Sequence, residues 1–188
     1  MPRIEELANG SILVSADALE KSALLELAKG RCLPKIARGT KQNFHAPQGR
    51  LQSDYIGLLG EYAAAAYLRC LFDDTIHTGG DGGIDLKVGD KTVQVKTSFY
   101  RNGRIIYNLN ALLVADYTVL AYCDNSSGIV ELSGWINKTD LIKHRTKMNL
   151  GHGMRYVIER KYLYPMTVLH VPHVYENPAD QLRYQKVE

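Results

Sequence analysis

On either side of Gly89-Asp90 the chain alternates apolar and polar residues, over 84–88 and 91–98, and few folds accommodate that pattern. A two-residue turn headed by glycine between alternating runs predicts an antiparallel hairpin. Counting outward from the turn sets Val88 opposite Lys91 and Asp85 opposite Gln94. Successive side chains of a strand point to opposite faces, so Ile84, Leu86, Val88, Val93 and Val95 share one face, which is wholly apolar and predicts burial. Asp85, Lys87, Thr92, Gln94 and Lys96 share the other. Opposed residues have Cβ atoms about 4.5–5.5 Å apart, and Lys96 leaves the same face about 6–7 Å from Gln94.

The strongest helical pattern lies over 51–71, where Tyr55, Leu58, Leu59, Tyr62, Ala63, Ala66, Tyr67 and Cys70 repeat at helical spacing. Gly57, Gly60, Ala64 and Ala65 flank that stripe with small residues that allow close approach to a sheet, and Glu61 stands on the same flank. Asp17 with Glu20 reads as a capping box opening a helix over 18–29, with Gly30 as its C-cap. Residues 30–50 hold Pro34, Gly39, Pro47 and Gly49 without periodicity and predict a long basic loop. Strands are expected over 105–109, 117–123 and 128–135, the middle one central in its sheet, followed by a helix over 137–147 capped by Asn137. Residues 154–171 fit no single pattern, and the tail beyond Pro178 is polar. The fold class that follows is α/β, a central mixed β-sheet flanked by helices, with the 188 residues forming one domain. Within it we expect a core over 51–136, a basic N-terminal helix and loop over 17–50, and a C-terminal region over 137–188.

The composition, 45% hydrophobic and 23% charged, is that of a globular protein with a core. Cys32, Cys70 and Cys123 are widely spaced and odd in number, which predicts neither a disulfide framework nor a zinc knuckle and fits a reducing cytoplasm. The first ten residues carry Glu5 and Glu6 and no apolar export segment, and no apolar run approaches the ~18 residues that span a bilayer. Net charge is only +3, but its distribution is uneven. Lys29, Arg31, Lys35, Arg38, Lys41 and Arg50 stand without an acid among them, and Lys138, Lys143, Arg145, Lys147, Arg155, Arg160 and Lys161 meet only Asp140 and Glu159. Such patches suit a phosphate backbone, and equally an ordinary solvated surface.

On the polar face of the hairpin, the carboxylate of Asp85 and the amide oxygen of Gln94 converge, and a hard cation such as Mg2+ is bound by one or two carboxylates with water and substrate phosphate. Glu61 is the candidate for the second carboxylate, since on a small-residue flank it needs a cation or a lysine as partner. For phosphodiester hydrolysis the cation would activate a bound water while the Lys96 ammonium orients it and offsets developing charge. Gly79-Gly80-Asp81-Gly82-Gly83 leads into Asp85, and its glycines allow backbone to approach a phosphate.

Gly60-Glu61 with Ala63, the run Gly79-Gly80-Asp81-Gly82-Gly83-Ile84-Asp85, and Val93-Gln94-Val95-Lys96 together resemble the catalytic core of the PD-(D/E)XK, restriction-endonuclease-like nucleases, most closely their Mrr-like branch. The resemblance covers residues 55–98. It implies Asp85 as a metal-binding aspartate, Gln94 at a position usually held by Glu or Asp, Lys96 as the catalytic lysine and Glu61 as the helix-borne acid. It also implies a restriction-endonuclease-like core, Mg2+ (or Mn2+ in its place) as cofactor, and DNA as substrate, cut by a homodimer or higher homo-oligomer. DNA contacts are expected from Asp81, Arg38, Lys41, Tyr100, Arg101, Arg145 and Lys147. The alternative is a catalytically inactive nucleic-acid-binding module of the same fold. A zinc site at His170 and His173 is disfavoured, because Pro172 breaks a helix there and no further ligand is spaced nearby.

Overall fold

A computed structural model of the chain describes residues 1–37, 49–76, 82–124, 127–151 and 153–169. A six-stranded mixed sheet has the order β1-β2-β7-β6-β4-β3: β1 Arg3–Glu6, β2 Ile12–Ser15, β7 Ile129–Asn137, β6 Tyr117–Cys123, β4 Lys91–Ser98 and β3 Leu86–Val88. Every pairing is antiparallel except β4 with β6. Helices α1, Ala18–Ala37, and α2, Gly49–Leu68, lie on one face, and the short α3, Lys138–His144, follows β7. The other face is covered by a second, three-stranded antiparallel sheet of order β5-β9-β8, made of Ile105–Asn108, Met154–Ile158 and Thr146–Asn149.

The α/β class and the mixed sheet agree with the sequence, and β6 lies centrally between β4 and β7. The strand over 105–109 joins the separate sheet, which shares its face of the main sheet with Leu141 of α3. Other boundaries move as well. The capping box is present, with Asp17 Oδ1 accepting from Glu20 N at 2.9 Å and Glu20 Oε2 accepting from Asp17 N at 2.8 Å. Yet α1 runs past Gly30 to Ala37, so the predicted loop loses its first third. Gly30 is instead a packing glycine, since a Cβ there would lie 2.7 Å from Ile76 Cδ1. The predicted 51–71 helix is α2, shifted to Gly49–Leu68. The helix predicted over 137–147 stops at His144, where Arg145 N closes on Leu141 O, and β8 begins. Residues 3–15, given no structure by the sequence, form the edge hairpin β1–β2.

Two cores result. Leu86, Val88, Val93 and Val95 of the hairpin join Leu58, Ala64 and Leu68 of α2 under the helices, as the alternation requires, whereas Ile84 of the same face is only half-buried and lines a cleft. Ile105, Leu120, Ile136, Leu141 and Ile158 fill the smaller core between the sheets. The register shift opposite Leu120/Ala121 leaves Ser133 of β7 as the extra residue. It sends Leu132 to the helical side and Glu131 to the other. Cys32, Cys70 and Cys123 are all buried and none is disulfide-bonded; burial pushes the Cys70 thiol up to about 11.

The small flank of α2 packs closely on β4. A Cβ at position 60 would collide with the Thr97 hydroxyl on β4, so only glycine permits this approach. Gly60→Ala is therefore expected to destabilise the protein by about 1–3 kcal/mol in denaturant unfolding, and Thr97→Ala in the same chain to recover part of that loss. Additive costs in the double variant would contradict the contact.

Candidate active site

β3 is the edge strand, and its shortness creates the site. The turn at Gly89, φ +60, sets Val88 against Lys91 and Leu86 against Val93, as counted from the sequence. One residue earlier, Asp85 N donates to Val93 O at 3.0 Å, and there the ladder between the two backbones ends. β4 itself continues to Ser98, paired on its inner side with β6 as far as Tyr122. The Asp85 carboxylate takes the next rung: Oδ2 accepts the Val95 amide at 2.6 Å. It is thereby pinned at the outer edge of β4, opposite Gln94.

On the polar face Gln94 is buried rather than solvated, at 8% exposure, and so are Tyr107 of β5 at 6% and Thr118 of β6 at 3%. Tyr107 donates to Gln94 Oε1 at 2.7 Å and lies 2.8 Å from Thr118 Oγ1. Gln94 and Thr118 are cross-strand partners, and Tyr107 descends on them from the second sheet. Half-buried Lys96 lies with its Nζ 5.1 Å from the Tyr107 ring centroid, within cation–π range. Burial drives the Tyr107 phenol up to about 12; Thr118 counters this by hydrogen bonding, and the negative charge of Asp85 adds to it. The hairpin face and the second sheet thus enclose Asp85, Gln94, Lys96 and Tyr107 in one electrostatic neighbourhood.

Glu61 stands differently. It is half-buried on α2, over the opposite, apolar face of the sheet, and its Oε2 lies 3.6 Å from Arg31 Nη1. Arg31 also donates to Thr75 O at 3.1 Å and to Asp73 O at 2.8 Å, tying α1 and α2 to the segment that follows α2. Arg31 answers the Glu61 charge where the sequence suggested a cation with Lys96. A cleft beside Asp85 is lined also by Asp73, Asp74 and Lys87. Asp73 Oδ1 is engaged by Thr75, at 2.9 Å from its N and 2.6 Å from its Oγ1. Among the described residues no group of three or more His, Cys, Asp or Glu side chains is gathered closely enough to hold a metal. Mg2+ requires no such group, since it commonly keeps several waters and one or two carboxylates. On this face Asp85 is the carboxylate that fits.

The expected DNA contacts are scattered. Tyr100 and Arg101 are exposed beyond Lys96; the Arg101 guanidinium sits 5.6 Å from the Tyr122 ring centroid and its Nε 4.0 Å from Glu131. Arg145 and Lys147 gather over Tyr156 of the second sheet, at 4.3 and 5.9 Å from its centroid. Asp81, Arg38, Lys41, His170 and His173 lie outside the described residues. Parts of both basic patches serve the fold: Arg31 as above, and Arg160, which contacts buried Glu131 at 3.3 Å and donates to Arg101 O. Tyr107, Thr118 and Glu131 were missed in the sequence, because their places depend on the second sheet and on the bulge. The one available signal was Thr118, polar in an otherwise apolar central strand.

Comparison with protein-family models, with curated proteins and with solved structures finds no match to this chain. The geometry of the site stands on its own.

The raised Tyr107 phenol gives a test by pH. Its ordinary value is 10.0 and its folded value about 12, so folding favours the neutral form. That contribution is complete below pH 10 and is lost as pH climbs through 12. Wild-type stability in urea is expected to fall across this window and that of Tyr107→Phe to fall less steeply. Parallel curves would contradict the burial of this hydroxyl.

Proposed function

We propose that the chain is a metal-dependent DNA endonuclease that hydrolyses phosphodiester bonds. The observation that carries this reading is the Asp85 carboxylate fixed by the Val95 amide at the edge of β4, with Lys96 on the same face of that strand. The resemblance of 55–98 to PD-(D/E)XK nucleases supports it from the sequence side. Bound Mg2+, with Mn2+ able to take its place, would supply the polarised phosphate and activated water of such hydrolysis. Asp85 would hold the ion. Lys96, kept near Tyr107, would orient the attacking water and offset charge on the phosphate. Glu61 would contribute only if its carboxylate served the ion as well as Arg31.

Phosphates flanking the reacting one would meet Tyr100 and Arg101 beyond β4, and Arg145 and Lys147 over Tyr156. A homodimer or larger homo-oligomer would bring two such sites to the two strands of a duplex. A cytoplasmic setting suits DNA as substrate, and among the described residues no helix is long and apolar enough to cross a membrane.

A second reading is a nucleic-acid-binding module without catalysis. What favours it is the modest supply of charge: Gln94 is neutral with its oxygen on Tyr107, and Glu61 is paired with Arg31.

Plasmid cleavage separates the two. The wild-type protein with Mg2+ is expected to nick or linearise plasmid, EDTA to stop it, and Lys96→Ala to slow it by about 100-fold or more. No cutting by the wild type would sink the nuclease reading, and cutting undiminished in Lys96→Ala would remove Lys96 from the chemistry.

A further inference from the structure

Gln94, Tyr107 and Thr118 form a hydrogen-bonded chain in the layer between the two sheets. A phenol carries one hydrogen, and that of Tyr107 goes to Gln94 Oε1, so the threonine must be the donor in the Thr118–Tyr107 contact. The order Thr118 to Tyr107 to Gln94 fixes which way the amide faces. With Oε1 turned to Tyr107, the amide nitrogen is directed at Gly83, where an added Cβ would lie 3.3 Å from Nε2. Gly83 stands two residues before Asp85 on the approach to the strand. The ring of the same tyrosine sits by the Lys96 ammonium. One residue from outside the hairpin therefore controls two side chains of its polar face. An apolar trio would fill this buried layer without polar atoms to satisfy, so a trio joined by two hydrogen bonds calls for a reason beyond packing.

We propose that Tyr107 is a positioning residue of the catalytic centre. Its hydroxyl turns the Gln94 amide so that the N–H2 group, rather than the oxygen, faces the glycine turn beside Asp85, and its ring holds the Lys96 ammonium. Gln94 then acts as a hydrogen-bond donor to a phosphate oxygen of the substrate and not as a cation ligand, and ligation falls to carboxylate. The role rests on the nuclease reading above.

The test compares the full-length wild type with Tyr107→Phe, Tyr107→Leu and Thr118→Val in Mg2+-dependent plasmid cleavage, with melting temperatures measured alongside. Tyr107→Phe keeps the ring and loses only the hydroxyl. Its kcat is expected to fall about 10- to 100-fold while KM moves by under about twofold. Tyr107→Leu, which also strips the support from Lys96, loses more. Thr118→Val removes a hydroxyl from the same layer but spares the Tyr107–Gln94 bond, so it loses less activity than Tyr107→Phe at a comparable melting temperature. The side-chain N–H2 signals of Gln94, identified in 15N spectra by their loss in Gln94→Leu, are expected to shift in Tyr107→Phe. Wild-type rates in Tyr107→Phe, unmoved Gln94 signals, or activity losses that merely follow melting temperature would each overturn the positioning role. A wild type that fails to cut is a different result: it refutes the nuclease reading, and the catalytic role of Tyr107 with it.

Discussion

At Val95 the backbone ladder between β3 and β4 has already ended, while β4 still has three residues to run. An amide at an unpaired edge must find an acceptor, because a buried N–H left without one costs about 1–3 kcal/mol. Val95 is buried, and the Asp85 carboxylate supplies that acceptor. A single hydrogen bond thus ends the hairpin and holds an acid opposite Gln94. Had β3 been two residues longer at its start, a carbonyl would fill this place and Asp85 would stand as an ordinary side chain on a paired strand.

The second constraint comes from the other side of the sheet. The parallel pairing of β4 with β6 needs a crossover, and here the chain passes through β5, which pairs with β9 of the second sheet instead of forming a helix. A sheet laid over the polar face converts what would be solvated residues into a buried, hydrogen-bonded layer. The Gln94 amide oxygen and the Thr118 hydroxyl are satisfied through Tyr107, and Glu131 through Arg160 and Arg101. The apolar side needs no such arrangement, because α2 presses on it through Gly60 and its alanines. The two faces of β4 differ accordingly, one packed for stability and the other assembled from polar groups in fixed orientation.

Local pattern carried much of this into the sequence. The register that opposes Asp85 to Gln94 follows from a two-residue turn and strict alternation, and the small residues at 57, 60, 64 and 65 announced a close helix–sheet contact that Gly60 makes. What could not be read depends on partners distant in the chain. Gly30 looks like a C-cap until Ile76 is seen packed on it, and β1 is too short and charged to reveal itself without β2. Lys147 continues the helical pattern of α3 but pairs with Tyr156 in a strand. Glu61 drew its significance from the residues around it in sequence, whereas Arg31, thirty positions earlier, is the charge that meets it. Tyr107 gave no sign, because nothing in 105–109 tells that the strand leaves the main sheet.

The central claim is that Asp85 is the cation-binding carboxylate of a catalytic face. Anomalous scattering from crystals soaked in Mn2+ tests it most directly. The account predicts a peak about 2.0–2.2 Å from an Asp85 carboxylate oxygen, on the Lys96 side of β4 and without Gln94 among the ligands. A cation bound elsewhere, or an Asp85 carboxylate that binds none at saturating Mn2+, would contradict it.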